Sequence, residues 1–383
     1  VTIDKTPNRP TETAFASGEA GAYHLGMTPA TTAAGSIEDY LRAAQARGVV
    51  PAGYRILGLE PLTGGRTGAR VVAIRPGYVL KALPRNTWRL AAMQAPDAGE
   101  GPLWLSGATR ELPAPLACPT LDVAVHVDND EWWMLMRDVS DGIRARGAFT
   151  ESDERVLLSA IARLHAHYWG GRNGLEQLPL ARVRGTTTAF AEPVAFAAGR
   201  AQASADWVPR YVEDFTPLRM LLPTFLEMLG PEDADFYIQL ASDRSWHRGL
   251  DEATPTLNHG DLRRANIAFA DGTVTLLDWE FASRGPAACD LQWHWFLHFW
   301  AYPPDARPPE ARAPLRDYYL AELEAVLGRP IDRAEFERTW GLGFLRSMVV
   351  FGFCLADVPD PAAPEARQRA KAAIALARAI LDG

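Results

Sequence analysis

The chain has 383 residues, 48% of them hydrophobic, and a formal net charge of -8. This apolar content supports a sizeable buried core and excludes disordered and collagen-like classes, and the length exceeds the usual single-core range, so two lobes are expected. The acidic balance supplies no basic footprint for nucleic acid.

Cys118, Cys289 and Cys354 stand far apart without C-x-x-C spacing, which suggests neither a disulfide framework nor a zinc site and favours a cytoplasmic location. No stretch reads as the roughly 18 to 20 apolar residues that cross a bilayer, and residues 1–20 lack the basic and apolar blocks of an export signal. The expectation is a soluble chain without a membrane partner.

Residues 1–35, rich in Thr, Ala, Gly and Pro, read as a loosely ordered arm. Ser36 and Asp39 then form a capping-box pattern ahead of a short helix running to Gly48. From Tyr54 to Leu83 the period changes to that of three antiparallel strands, "YRILGLEPL", "ARVVAIR" and "YVLKAL", joined by "TGGRTG" and "PG". A helix around Trp88 to Gly107 and strands at Val123 to Val127 and Trp132 to Met136 complete a first, sheet-rich lobe over residues 36–137.

Residues 138–383 are expected to form a mostly helical second lobe, with Ser152 to Tyr168 as its spine. Helical pieces follow between Val208 and Gly230, interrupted by Pro217 and Pro223, and at Ala234 to Ser245 and Leu291 to Trp300. Leu315 to Leu327, Arg333 to Phe353 and Ala363 to Leu381 complete the set.

The chemistry concentrates in "LNHGDLRRANIAFADGTVTLLDWEF", Leu257 to Phe281. Here "IAFA", an Asp271-Gly272 turn and "VTLL" read as a β-hairpin, which places Asn266 beside Asp278 at its open end. An amide oxygen beside a carboxylate suits magnesium, which takes one or two protein groups together with substrate phosphates. Asp261, five residues before Asn266, adds a carboxylate able to orient a hydroxyl and accept its proton. The constellation suggests phosphoryl transfer.

The order Asp, Asn, hairpin, Asp resembles the catalytic loop and metal-binding aspartate of kinase-fold enzymes. "HGDLRRAN" with "LLDWEF" resembles the aminoglycoside phosphotransferase family, within the group that includes choline kinases. The resemblance implies an α+β, two-lobed protein kinase-like fold, with an antiparallel-sheet N-lobe and a mostly helical C-lobe. It further implies ATP and Mg2+ as cofactors, Asp261 as catalytic base, Asn266 and Asp278 as magnesium ligands, and Asp290 as a brace under the loop.

By the same analogy Lys81 reaches the α and β phosphates, and Gly64, Gly65 and Gly68 let the backbone approach them, although neither G-x-G-x-x-G nor a Walker A pattern is present. Glu100 is the candidate partner of Lys81, with Glu111 the alternative. Backbone groups from Met136 to Asp138 correspond to the hinge that meets adenine, and Arg137, where family members often carry an acid, leaves ATP and GTP both open. Arg263, inside the loop where the family commonly has a His-Pro pair, either meets the transferred phosphate or pairs with a nearby carboxylate. His165 and His167 are expected to pack or hydrogen-bond.

Only twelve positions separate Asp278 from Asp290 and no A-P-E follows, so a small-molecule hydroxyl acceptor is favoured over a protein. The candidate acceptor regions are Asp206 to Asp243 and "DLQWHWFLHFW", with aminoglycosides, amino sugars, amino alcohols and other natural products all eligible. The rival reading is a catalytically silent, nucleotide-binding sensor.

Overall fold

The computed structural model describes residues 31–33, 35–62, 69–85, 93, 95, 98–144, 149–301 and 312–382. Its first sheet is built from β1 (Thr31–Ala33), β2 (Gly58–Leu62), β3 (Arg70–Arg75), β4 (Tyr78–Pro84), β6 (Thr120–His126) and β7 (Glu131–Arg137), while the short β5 (Leu116–Ala117) joins another. The strand order is β1-β6-β7-β4-β3-β2, antiparallel throughout except for β1 beside β6. Thr31–Ala33, within the stretch read as a loosely ordered arm, is therefore a strand. It pairs from Thr31↔Ala124 to Ala33↔His126, using an edge that the local sequence does not announce.

Alternation along β4 decides what faces the site. Leu80 and Ala82 pack under helix α1 (Ile37–Ala46) with Tyr40, Leu41 and Trp133. Leu83 packs on the opposite face with Met134, Trp104 and Leu105, and Lys81 shares its parity. Met134 is thus core, fully buried. Helix α1 begins at Ser36 with both halves of its capping box formed. In the predicted helix at Trp88 to Gly107, the described helical residues are α2 (Glu100–Leu105).

The remainder is mostly helical. Helix α3 (Glu151–Tyr168) opens with a Thr150–Asp153 capping box. After it come β8 (Ala181–Arg182), α4 (Val183–Ala197), α5 (Trp207–Asp214), α6 (Thr216–Leu229) and α7 (Pro231–Ser242). Helix α4 has no counterpart among the sequence expectations, because Gly185, three threonines and Pro193 all weaken local helical preference. Packing overrides that preference: a Cβ at Gly185 would fall 2.6 Å from Met93 O, and the Thr186 and Thr187 hydroxyls each donate to Val183 O at 2.8 Å. Pro217 does mark a helix start, at the junction of α5 and α6, but Pro223 lies inside α6 without ending it. Leu222, Phe225, Met228 and Leu229 bury that helix deeply enough to offset one missing hydrogen bond.

Downstream, β9 (Thr256–Asn258), β10 (Ile267–Ala270), β11 (Thr273–Leu276) and β12 (Ser283–Gly285) form two small sheets, β10-β11-β5 and β8-β12-β9. Helices α8 (Ala288–Phe296), α9 (Arg312–Leu327), α10 (Arg333–Phe351) and α11 (Pro364–Asp382) close the core. Residues Arg333–Ala356 are long and apolar enough to cross a membrane, contrary to the sequence expectation, yet 78% of their apolar window is buried within the protein. The architecture is α+β, an antiparallel sheet followed by a mostly helical remainder.

Candidate active site

The β10–β11 hairpin pairs Ile267 with Leu276, and Leu277 N donates to Asn266 O at 2.9 Å, extending the ladder to the open end. Asp271 and Gly272 both take positive φ in the turn, the geometry an Asp-Gly pair supplies. Asp278 follows with φ 64° and ψ 65°, a left-handed conformation that costs a non-glycine residue energy and turns the chain away from the strand.

The loop before the hairpin is held from below. Asp290, in the first turn of α8, accepts from His259 N at 2.7 Å and Gly260 N at 2.8 Å. It lies inside the helix and is not its N-cap. Burial opposes its charge, but hydrogen bonding from His165 and the Gly260 amide holds the carboxyl below its usual range. His259 donates from Nε2 to Leu277 O at 2.9 Å and accepts from Asp261 N at Nδ1, at 3.3 Å. Burial pushes its pKa down, so the neutral ring ties loop to hairpin. His165 is fully buried, bonded to Tyr319 and 3.5 Å from Asp290.

Asp261 is 7% exposed and fixed on both oxygens. Oδ1 accepts from Trp293 Nε1 at 3.0 Å, and Oδ2 accepts from Asn266 Nδ2 at 2.9 Å. Arg263 Nε lies 3.0 Å from Oδ2, so the arginine of the loop pairs with the carboxylate beside it.

Across the cleft, Lys81 Nζ bonds to Glu100 Oε2 at 2.6 Å and to Asp278 Oδ1 at 2.7 Å. Of the two candidate glutamates, Glu100 makes this contact, while Glu111 is exposed beside Gly107. Burial disfavours the ammonium, but Asp278 and Glu100 outweigh it and hold the lysine pKa well above its usual value. The same exchange keeps Asp278 below the ordinary carboxylate range against burial, whereas burial lifts Glu100. The Gly-Pro pair in α2 is compatible with a helix here: Pro102 lies in the first turn, where its missing N–H has no partner to lose. Gly101 permits the approach of Trp132, whose ring a Cβ would meet at 2.8 Å.

Residues 59–334 match the sequence profile of the phosphotransferase enzyme family, APH. The chain belongs to this family. No curated protein matches it in sequence. Among solved structures it is similar to choline kinase from Cryptosporidium parvum, with 10% identity, a TM-score of 0.48, and coverage of 90% of this chain and 96% of that one. It is similar as well to Plasmodium vivax ethanolamine kinase, at 12% identity and TM-score 0.46 over 89% of this chain and 87% of that one. Aminoglycoside-3'-phosphotransferase of type VIII gives 18% identity and TM-score 0.41 over 82% and 98% respectively.

In this member of the phosphotransferase family the segment from Met136 to Asp138 has a particular wiring. Met136 pairs with Val79 and Thr120, Arg137 N donates to Pro119 O at 3.0 Å, and Asp138 N donates to Gly77 O at 2.9 Å. The Arg137 and Asp138 amides are therefore engaged within the protein. The Asp138 carboxylate is held by Ser140 and Arg75. Gly64, Gly65 and Gly68 lie outside the described residues.

Among the described residues no group of three or more His, Cys, Asp or Glu is placed to hold a metal ion. The donor set at the hairpin mouth nevertheless fits magnesium, which needs only one or two protein oxygens when phosphates supply others. Asn266 Nδ2 is committed to the Asp261 carbonyl and carboxylate, both at 2.9 Å, which leaves Oδ1 as the side-chain oxygen that a cation would use.

Sequence reasoning placed Trp293 and His294 in a candidate acceptor region and missed that they hold the loop before the hairpin. Trp295 and Trp300 do pack, on Trp340 and Phe344. Asp290, Trp293 and His294, however, follow the i, i+3, i+4 spacing of one helical face. That face holds four consecutive loop residues, since His294 Nδ1 lies 3.1 Å from Leu262 O. The spacing was legible; its target was not.

Proposed function

We propose that the protein transfers the γ-phosphate of ATP to a hydroxyl group of a small molecule. The observation that carries this reading is the junction of Lys81, Glu100 and Asp278 at the mouth of the hairpin whose preceding loop fixes Asp261. Family membership supports a phosphotransferase.

In this reading Lys81, held by Glu100, binds the α and β phosphates, with the backbone around Gly64, Gly65 and Gly68 beside them and Met136 to Asp138 against the base. Asn266 and Asp278 would hold Mg2+, which would neutralise phosphate oxygens. Asp261 accepts the acceptor's hydroxyl proton as the new O–P bond forms and the bond between Pγ and the β,γ-bridging oxygen breaks, releasing ADP. Arg263 exchanges its Asp261 pair for the transferred phosphate, which supplies charge stabilisation and frees the carboxylate for the proton. Cys118, Cys289 and Cys354, none of them in a disulfide, support a cytoplasmic setting.

The test is magnesium-dependent ADP release across a panel of hydroxyl acceptors, with Asp261→Asn beside wild type. Acceptor-dependent release that falls about 10² to 10⁴-fold in the variant, with nucleotide binding retained, is expected. Nucleotide binding without release for any acceptor would favour a silent sensor.

A further inference from the structure

Arg346 lies in α10 at 3% exposure, and its Nε has no hydrogen-bond partner. Among the described residues the guanidinium makes no hydrogen bond or ion pair; it lies over the face of Trp293, with Cζ 5.3 Å from the ring centroid, and its charge also reaches the Cys289 thiol. Other arginines of the helical part are matched: Arg244 pairs with Glu192, Arg284 with Glu176 and Arg378 with Asp233. A buried cation without a counter-charge is among the costliest groups a fold can carry, and a bound anion is the natural means of offsetting it.

Its position indicates which anion. Trp293 donates its indole N–H to Asp261 Oδ1, so the guanidinium stands on the face of the ring that holds the proposed base. The triphosphate end of the site is elsewhere, where Lys81 meets Asp278. From Trp293 a chain of ring contacts runs through Phe351, Phe353, Phe215, Tyr211 and Phe190 to Phe281, three residues beyond Asp278. Five of these rings, those of Phe190, Tyr211, Phe215, Phe281 and Phe351, are only half-buried. An apolar arc therefore joins the base side of the site to the metal side, with one unmatched positive charge at its end.

We infer that Arg346 receives an anionic group of the acceptor, a carboxylate or a phosphate ester, while the aromatic arc holds the carbon frame; this rests on the phosphotransfer reading above. The acceptor is then an acidic alcohol. A polycationic aminoglycoside or a choline-like amino alcohol would set like charge against the guanidinium.

Four acceptors of one carbon frame test this: gluconate, glucose 6-phosphate, glucose and glucosamine, offered to wild type, Arg346→Met, Arg346→Lys and Asp261→Asn. Each protein is followed by thermal melting and by magnesium-dependent ADP release. Gluconate or glucose 6-phosphate should raise the wild-type melting temperature and drive release at least about 10-fold more effectively than glucose or glucosamine. Which of the two responds tells a carboxylate from a phosphate ester.

Arg346→Met should raise KM for the anionic acceptor about 10 to 100-fold, far more than it lowers kcat, and lose the thermal protection, with partial recovery in Arg346→Lys. Without ligand, Arg346→Met should melt no lower than wild type, because methionine fills the space with no charge to bury; an arginine needed only for structure would give a lower melting temperature. Equal protection of wild type and Arg346→Met by an anion overturns the inference. So does a stronger response to glucosamine, or no response to either anion. Release lost in Asp261→Asn with any of the four acceptors leaves the phosphotransfer reading standing, so the two failures are separable.

Discussion

Lys81 Nζ lies 2.7 Å from Asp278 Oδ1, although 197 positions separate the two residues in sequence. The contact joins β4 to the end of the β10–β11 hairpin, and Glu100 completes it from α2. Three charged groups, two of them nearly enclosed, are thereby locked into one geometry.

Lys81→Met should abolish measurable turnover and also destabilise the fold. Lys81 is 6% exposed and Glu100 3%, so losing the ammonium leaves an unpaired buried carboxylate, at a cost of about 3 to 5 kcal/mol. Denaturant midpoints measure that loss. Lys81→Met combined with Glu100→Leu should recover most of the stability and none of the activity.

Gly260→Ala should inactivate the protein. The residue has φ 84°, and a Cβ there would run into the Phe281 carbonyl, so the backbone must move and with it the two amides that Asp290 holds. The expected outcome in steady-state kinetics is loss of kcat with nucleotide affinity, measured by titration, largely kept.

Trp293→Phe keeps an aromatic ring against Phe351 but removes the N–H that fixes Asp261 Oδ1. A kcat reduction of about 10-fold is expected, the scale of one hydrogen bond to a charged group. A variant with kcat equal to wild type would show that the Asn266 and Arg263 contacts are enough to orient the carboxylate.

Glu154, 1% exposed in α3, accepts from His294 Nε2 at 2.9 Å and Trp295 Nε1 at 2.7 Å. Burial raises its pKa, but His294 prevails and brings it to about 2, below the ordinary 4.5. A carboxyl depressed by folding contributes stability that is fully present above pH 4.5 and is lost as pH falls towards 2. The contribution at neutral pH is about 3 kcal/mol. Glu154→Gln should therefore lower the denaturant midpoint at pH 7, with a smaller difference from wild type at pH 3. The same His294 reaches the Leu262 carbonyl, so kcat should fall in parallel.

Local patterns made much of this protein legible. Strand alternation from Tyr54 to Leu83, the Ser36–Asp39 capping box, the Asp271-Gly272 turn and the order Asp261, Asn266, Asp278 are all short-range features, and short-range features are written in adjacent residues. The sequence by itself therefore determined the β2, β3 and β4 run of the sheet, the hairpin and the residue types at its mouth. Tertiary structure alone decided that Glu100 and not Glu111 meets Lys81, that Asp290 supports the loop from inside a helix, and that α4 forms despite Gly185 and Pro193. It alone placed Arg346 behind Trp293. The physical reason is common to all four: each depends on which surfaces the packed elements bring together, and burial changes both the conformation a segment can hold and the partners a charge requires.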